Sequence, residues 1–566
     1  MSSYDAKVAS GVELKDIGEV AKKAGINSKY LTKFGNYIAK VSADILPNAL
    51  KSRKAGKLIL MTSITPTQLG EGTTVNAIGL GMALNKMKKK AISCIPQPSL
   101  GPLFGIKGGA VGGGYSQVLP AEEISLGMTG DSARVANAQD LGASFLDNGL
   151  FWGDPYDFGK KGVTWKRVIE VGDRTLRNIA IGGGGKLHGV SRKTGIEITS
   201  AGECMAILAL SENLKDLRAR LGRAIFGFAK NGKPVTADMV KAAGAMTVMM
   251  KDALNPNLVQ TTENTPCFVH ADPFANVSCG SSSVIADKIA LKLADYVVTE
   301  SGFGADLGAE KFIDIKCRQS KLKPDVIVIN CTVRGLKVHS GDFPFKGNNI
   351  PATLKRENLS AVDRGCSNLE KQVENLKMFG LPIVICINKF EHDSKKEIDV
   401  VLRRAEALEV EGVAVSEAYK LGSEGCMELA QAVINAAKEN SKIRYLYPLD
   451  MNLRGKVERI AKSMYGASEV KYSDDAAEDI EMIEKAKLDQ LPICMAKSYL
   501  SLSNTSSKKG RPRGFKLAVE SVEVNAGAGY ILVECEGVNT MPGLPKAPRG
   551  AAIDVDVKTG KVKGLL

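Results

Sequence analysis

The stretch SITPTQLGEGTTVNAIGL (residues 63–80) carries the residue types of a phosphate-binding turn. An apolar run leads into it, Gly70 and Gly72 flank Glu71, and Thr73 and Thr74 follow. A Walker loop holds phosphate with unhindered backbone N–H groups, a helix N-terminus, a lysine, and a Ser/Thr that reaches Mg²⁺. Here the two glycines supply the open backbone and Thr74 takes the metal-ligand position. The lysine is missing: Thr73 stands in its place, and Thr67 stands where the first Walker glycine belongs. From these residues alone the turn reads either as a phosphate cradle or as a tight strand-to-helix connection. A second nucleotide-like signal, INKFEHD (387–393), matches the N-K-x-D base-recognition turn of GTPases only in part, because position 391 is Glu.

The elements that must position this turn lie on either side of it. KLILMTSI (57–64) is a continuous apolar run of strand length. TTVNAIGLGMALNKM (73–87) has helical periodicity, with Val75, Ile78 and Met82 on one stripe, and KAISCI (90–95) is a second strand. Strand, turn, helix and strand make a βαβ unit whose right-handed crossover leaves the strands parallel. Similar apolar runs recur at DYVVTE (295–300), PDVIVINCT (324–332) and PIVICIN (382–388). Helical text lies between or before them, so the expected fold is α/β, a large P-loop-like parallel sheet buried on both faces. Residues 12–50 read as helices ahead of the first strand. The glycine-rich stretches 105–118 and 180–189 read as loops close to a ligand or to another backbone. From about residue 446, helical text gives way to FKLAVESVEVNAGAGYILVECEG, which alternates and turns like a hairpin. The expected division is a large nucleotide-binding domain (1–360), a second α/β domain (361–445) and a C-terminal α+β domain (446–566).

Composition sets outer bounds. The chain has 566 residues, 44% hydrophobic and 24% charged, values typical of soluble globular proteins. It has no apolar run long enough to span a membrane, and its first twenty residues carry acids rather than a signal sequence. The eleven cysteines include no C-x-x-C pair and mostly sit in apolar runs, as reduced core residues do. The four histidines are too scattered for a zinc pair. The reading is a protein of the cytoplasm or an organellar matrix, with no membrane partner and no resident structural metal. The net charge of +14 invites an anionic ligand or partner. Its densest runs, 85–91 and 506–516, lack interleaved aromatics and read first as solvated surface.

Longer blocks are more specific. PSLGPLFGIKGGAVGGGYSQVLP (98–120), NPNLVQTTENTPCFVHADPFANV (255–277), LKLADYVVTESGFGADLGAEKFIDIKCR (291–318) and TMPGLPKAPRGAAIDVD (540–556) resemble the formate–tetrahydrofolate ligase family, in order, from about residue 12 to the C-terminus. The resemblance implies a large α/β nucleotide-binding domain with two smaller domains around a cleft. It also implies a homo-oligomer, a tetramer or dimer, helped by a monovalent cation. The implied substrates are Mg²⁺-ATP, formate and tetrahydrofolate, joined through formyl phosphate to give 10-formyltetrahydrofolate. Carried over residue by residue, Gly70, Glu71, Gly72, Thr73 and Thr74 form the phosphate cradle. Pro96, Gln97, Ser99, Lys107, Tyr115 and Asp131 surround the acyl-phosphate site. His270, Phe303, Asp306, Thr332 and Arg334 line the cleft, and Phe390 and Tyr419 form the pterin or base slot.

The departures from the family pattern concentrate on polar groups of that cleft. The loop lysine falls on Thr73, and the arginine and glutamate of R-E-P-S-L-G-P fall on Pro96 and Gln97. Family histidines fall on Gly127, Ala133, Gln139 and Cys279, and a tryptophan falls on Tyr419. The expectation is therefore a family member impaired in, or without, ligase activity and kept for a binding or structural role. The alternatives are an active ligase with a rearranged site and an enzyme acting on another substrate in the same cleft.

Overall fold

The computed structural model describes residues 4–105, 111–185, 187–343 and 351–565. A twelve-stranded sheet organises them. Its strands are β1 (Leu31–Phe34), β2 (Ile38–Val41), β3 (Lys57–Ser63), β4 (Ala91–Ile95), β5 (Gly112–Gly113), β6 (Ser116–Leu119), β7 (Asn257–Thr261), β8 (Pro266–Val269), β9 (Tyr296–Gly304), β10 (Val326–Cys331), β11 (Ile383–Asn388) and β12 (Gly412–Ser416). The spatial order is β1-β2-β7-β8-β4-β9-β3-β10-β11-β12, with β6 added on β7 and β5 on β6.

From β8 to β12 every neighbouring pair is parallel. These strands carry the continuous apolar runs of the sequence, and β4, β10 and β11 are buried along their whole length. Strands covered on both faces need no polar alternate, and their Ile and Val suit the pleated surface. The rest of the sheet is antiparallel. That half corrects the expectation of helices over 12–50. A helix occupies Ile17–Ala24, but β1 and β2 then form a hairpin whose inner strand pairs with β7. Four-residue strands are too short for periodicity to separate them from helix, and the partner of β2 lies some two hundred residues away, so tertiary pairing decides.

Helix α1 (Thr73–Lys86) follows β3 and is buried on nearly every side from Asn76 to Leu84. That explains its weak amphipathicity: it is a core helix rather than a surface one. Helix α2 (Asp131–Phe151) packs on the helices Glu203–Leu210 and Ala243–Met250, while α3 (Val333–His339) packs on α4 (Leu359–Lys377), which lies against β10 and β11. Residues 361–445 supply β11 and β12, so hydrogen bonding is continuous across position 360. The C-terminal segment has its own four-stranded sheet, in the order Glu469–Tyr472, Lys516–Asn525, Tyr530–Cys535, Ile493–Ala496. Its central hairpin is the one the alternating text predicts. This sheet is tied to the large one by a buried ion pair, Lys497–Asp306 at 2.8 Å, and by stacked rings of Phe303 and Tyr499 at 4.5 Å.

All eleven cysteines are buried and unpaired. Among the described residues, no helix is long and apolar enough to cross a membrane. Nor do three His, Cys, Asp or Glu side chains gather there in a metal-binding group.

Candidate functional site

The turn after β3 sits at the C-terminal edge of the parallel strands, where open α/β sheets place their ligands. Gly70 and Gly72 have φ of +74° and +73°, the left-handed region that glycine enters freely. At Gly72 a side chain is also excluded by space, since a Cβ would lie 2.5 Å from the Asn388 amide nitrogen. Helix α1 starts at the next residue, Thr73, so its unpaired N–H groups open onto the turn.

Neighbouring strand ends brace this turn. Asn330, in β10, donates to the Glu71 carbonyl at 2.6 Å, and Asn388, closing β11, donates to it at 2.9 Å. The Glu71 carboxylate accepts from Thr67 N and Oγ1 at 2.9 Å each and from the Thr332 hydroxyl at 2.5 Å. Asn76, one turn into α1, donates to Gly72 O and to Asn330 Oδ1, and accepts from Ser416 at the end of β12. Thr74 Oγ1 donates to both carboxylate oxygens of Glu300 at 2.9–3.0 Å. Arg334, second residue of α3, donates through Nη2 to Gly70 O at 2.8 Å and Leu69 O at 3.2 Å. Its guanidinium lies over the Phe390 ring, 3.8 Å from the centroid. Burial pulls its pKa down while Glu71 and Asp393 push it up, and a guanidinium stays cationic throughout.

Gly70, Glu71, Gly72, Thr73, Thr74, Thr332, Arg334 and Phe390 therefore come together. Tyr115 and Tyr419 also meet: the Tyr115 amide donates to Tyr419 O at 2.9 Å. The Tyr419 hydroxyl donates to Asp5 at 2.8 Å, and the Tyr4 ring packs 5.7 Å from that of Tyr419. Burial and the Asp5 carboxylate raise the Tyr419 pKa.

Pro96, Gln97 and Ser99 follow β4. Gln97, Ser99, Ser132, Glu170, Thr199 and Asp272 line a small polar pocket of about 10 Å³, with Gly127 at its edge. Gln97 is 4% exposed, yet among the described residues neither polar atom of its amide has a hydrogen-bond partner. Thr199 Oγ1 and Asp272 Oδ1 are likewise buried without one. Burial, then the nearby Glu170 carboxylate, drives the Asp272 pKa well above the usual carboxylate range, with the Ser99 hydroxyl opposing.

Asp131 and His270 sit in the core behind this pocket. Asp131 is ion-paired to Lys40 at 2.7 Å and accepts from Asn257 at 2.8 Å. His270 is fully buried, with Ser283 Oγ and Ala253 O each 2.6 Å from its two ring nitrogens. Burial lowers its pKa to about 4. Asp306 is held by Lys497 and by Gln372 at 2.6 Å, and Phe303, at φ +66°, stacks on Tyr499. Lys107 lies outside the described residues.

Sequence reasoning passed over Glu300 and the bracing Asn76 and Asn330, and read Asn388 only as the first residue of a partial base-recognition turn. Their common signal is a polar residue at the end of an apolar strand, or one turn into a helix that is otherwise apolar. It also passed over Glu170 and Asp272, which no motif connects.

A parallel sheet with a positive-φ glycine turn leading into a buried helix defines a nucleotide-binding type of α/β protein. The comparisons narrow the class. The family model for formate–tetrahydrofolate ligase matches residues 3–566. The chain is 46% identical over 562 residues to the formate–tetrahydrofolate ligase of Desulforamulus reducens, covering 99% of each protein. The chain belongs to the formate–tetrahydrofolate ligase family.

Proposed function

We propose that this protein is a nucleotide-binding member of its family in which activation of formate is impaired or lost, and that it serves a binding or structural role. One observation carries the reading. The pocket after β4 is lined by an amide, hydroxyls and the acids Glu170 and Asp272, and among the described residues no base lines it. An anionic carboxylate and the phosphoryl group it attacks both need fixed positive charge, and the described lining of this pocket supplies none. Each pre-organised donor lost from a transition state costs about 2.7–4 kcal/mol. Thr73 and Pro96 together forfeit at most roughly 5–8 kcal/mol, a ceiling because groups acting as a unit are not additive.

The phosphate cradle depends less on side chains. Gly70 and Gly72 open the backbone, the asparagines fix its shape, and α1 directs its dipole at the ligand. Thr74 Oγ1 and the Glu300 carboxylate lie within hydrogen-bond distance of each other, oxygen donors of the kind that suit Mg²⁺ carried in with ATP. Thr74 and Glu300 would hold that ion, which would supply positive charge at the phosphates. Phe390 and Tyr419, the family's ring slot for the pterin, already have Arg334 and Tyr4 as ring partners, which a bound ring must displace or share. A homo-oligomer and an anionic partner fit the family and the +14 charge, and light scattering with and without a polyanion tests both.

The deciding experiment assays 10-formyltetrahydrofolate formation by the wild type beside the triple variant Thr73→Lys, Pro96→Arg, Gln97→Glu. The expected result is activity in the variant and, in the wild type, a rate at least a hundredfold lower. Equal and substantial rates overturn the proposal. They favour the second reading, an active ligase with a rearranged site, which Arg334 at the loop supports.

A further inference from the structure

We propose that Arg334 supplies the fixed positive charge of the phosphate loop, the charge that Thr73 lacks, and so holds the outer phosphates of a nucleoside triphosphate. The inference rests on the reading of residues 64–74 as a phosphate cradle.

The position of Arg334 follows from the fold. Strand β10 lies beside β3, and α3 springs from its end, next to the loop. Thr332 caps α3 by accepting from Gly335 N at 2.9 Å, and its hydroxyl donates to Glu71 within the loop. This pins the start of α3 to the loop. Arg334 is two residues on, and its Nη2 bridges the carbonyls of Leu69 and Gly70. Those bonds use two of the five N–H groups of the guanidinium. Nε is buried and has no partner among the described residues, and the Nη1 donors make no hydrogen bond there. The Phe390 ring under the guanidinium restricts it to one plane, as a recognition arginine requires.

The local charge balance points the same way. The two carboxylates near Arg334 are engaged by other donors, Glu71 by Thr67 and Thr332, and Asp393 by Phe390 N at 2.8 Å. Lys389, the base beside Phe390, is paired with Glu417 at 3.1 Å. Among the described residues, Arg334 is thus a base at the loop that no carboxylate pairs with directly. A helix N-terminus offers about half an elementary charge, and a triphosphate needs more. A guanidinium meets phosphate bidentately where a lysine would meet it as a point charge.

The test measures Mg²⁺-ATP binding by calorimetry on four full-length proteins: wild type, Arg334→Gln, Thr73→Lys, and the double variant. Arg334→Gln is expected to weaken binding ten- to a hundredfold. The double variant is expected to recover most of it, because lysine returns the charge from the other side of the cradle. Thr73→Lys alone is expected to tighten binding less than tenfold. Arg334→Gln binding as tightly as wild type overturns the proposal, as does a loss that Thr73→Lys leaves unrescued, the mark of a brace for the Leu69 and Gly70 carbonyls alone. If Arg334→Gln does not fold, the single Thr73→Lys decides: a gain of a hundredfold or more says that no cation was there to begin with. Binding by Thr73→Lys and none by wild type overturns the assignment of Arg334 but leaves the cradle standing. Absence of binding in both overturns the cradle reading as well.

Discussion

Two strand ends in one sheet are built differently. At the end of β3 the loop has lost its lysine position, yet its polar groups are knit to Asn76, Asn330, Asn388, Thr332 and Ser416. At the end of β4 the arginine of the family pattern falls on Pro96, and Gln97, Thr199 and Asp272 carry buried polar atoms without a hydrogen-bond partner among the described residues. The first site is built from backbone, and backbone geometry is fixed by glycines and by braces behind them. The second is built from side chains, and its chemistry goes when they go. On the proposed function, a cradle of amides tolerates a substitution that an arginine pocket would not.

The comparison breaks most visibly at Gly72. Gly72→Ala forces a Cβ into the left-handed region, at about 1–2 kcal/mol, and pushes the Asn388 amide off the Glu71 carbonyl, at a further 1–3 kcal/mol. Gly70→Ala meets only the first cost, because nothing lies within 4 Å of its Cβ. Mg²⁺-ATP titrations should show a loss of affinity of at least thirtyfold for Gly72→Ala and about tenfold or less for Gly70→Ala. Equal losses at the two glycines would mean that the braces do not matter and that the contrast with the β4 pocket is misdrawn.

A middle-sized effect concerns the histidine behind the pocket. His270 has a folded-state pKa of about 4 against an ordinary 6.5. The unfolded chain takes up its proton first, so the stability His270 contributes is full above pH 6.5 and drains away as the pH falls toward 4. Between pH 7 and pH 5 the share of this one group is about 2 kcal/mol. Urea melts at the two pH values should show the wild type losing that much more stability than His270→Gln. A histidine open to a ligand in the cleft would titrate near its ordinary value, and the two proteins would then respond to pH alike.

Much of the scaffold is legible in the amino-acid sequence. Runs such as PDVIVINCT and PIVICIN announce strands buried on both faces, and the glycines at 70 and 72 announce the turn, because both follow from local chemistry. The hairpin β1–β2 is not legible there, since its four-residue strands acquire meaning only by pairing with β7. Of the residues carried over by resemblance, those on the loop converge, as Arg334, Thr332 and Phe390 do. Asp131, His270 and Asp306 are instead held by Lys40, Ser283 and Lys497 inside the core. A motif preserves residue identity without saying whether the side chain faces a cleft or a neighbour. The pocket's acids stay hidden for a related reason: Glu170 and Asp272 lie more than seventy residues from Gln97, and only the fold makes one site of them.

The smallest effect is the sharpest test of the difference between the two sites. Gln97 buries a carboxamide with neither its donor nor its acceptor paired among the described residues, and burying an unpaired polar group costs about 1–3 kcal/mol. Asn388 buries the same functional group with its donor spent on the loop. Replacing each by an apolar residue of similar size should therefore give opposite signs. Gln97→Met removes a group that gains nothing from its surroundings and should raise stability by about 1 kcal/mol in urea unfolding. Asn388→Leu strips a brace, leaves the Glu71 carbonyl with Asn330 alone, and should lower stability by about 1–2 kcal/mol. If Gln97→Met is instead as costly as Asn388→Leu, the amide at position 97 has a partner that holds it in solution. The pocket after β4 would then be as fully built as the cradle, and the case that it has fallen out of use would go with it.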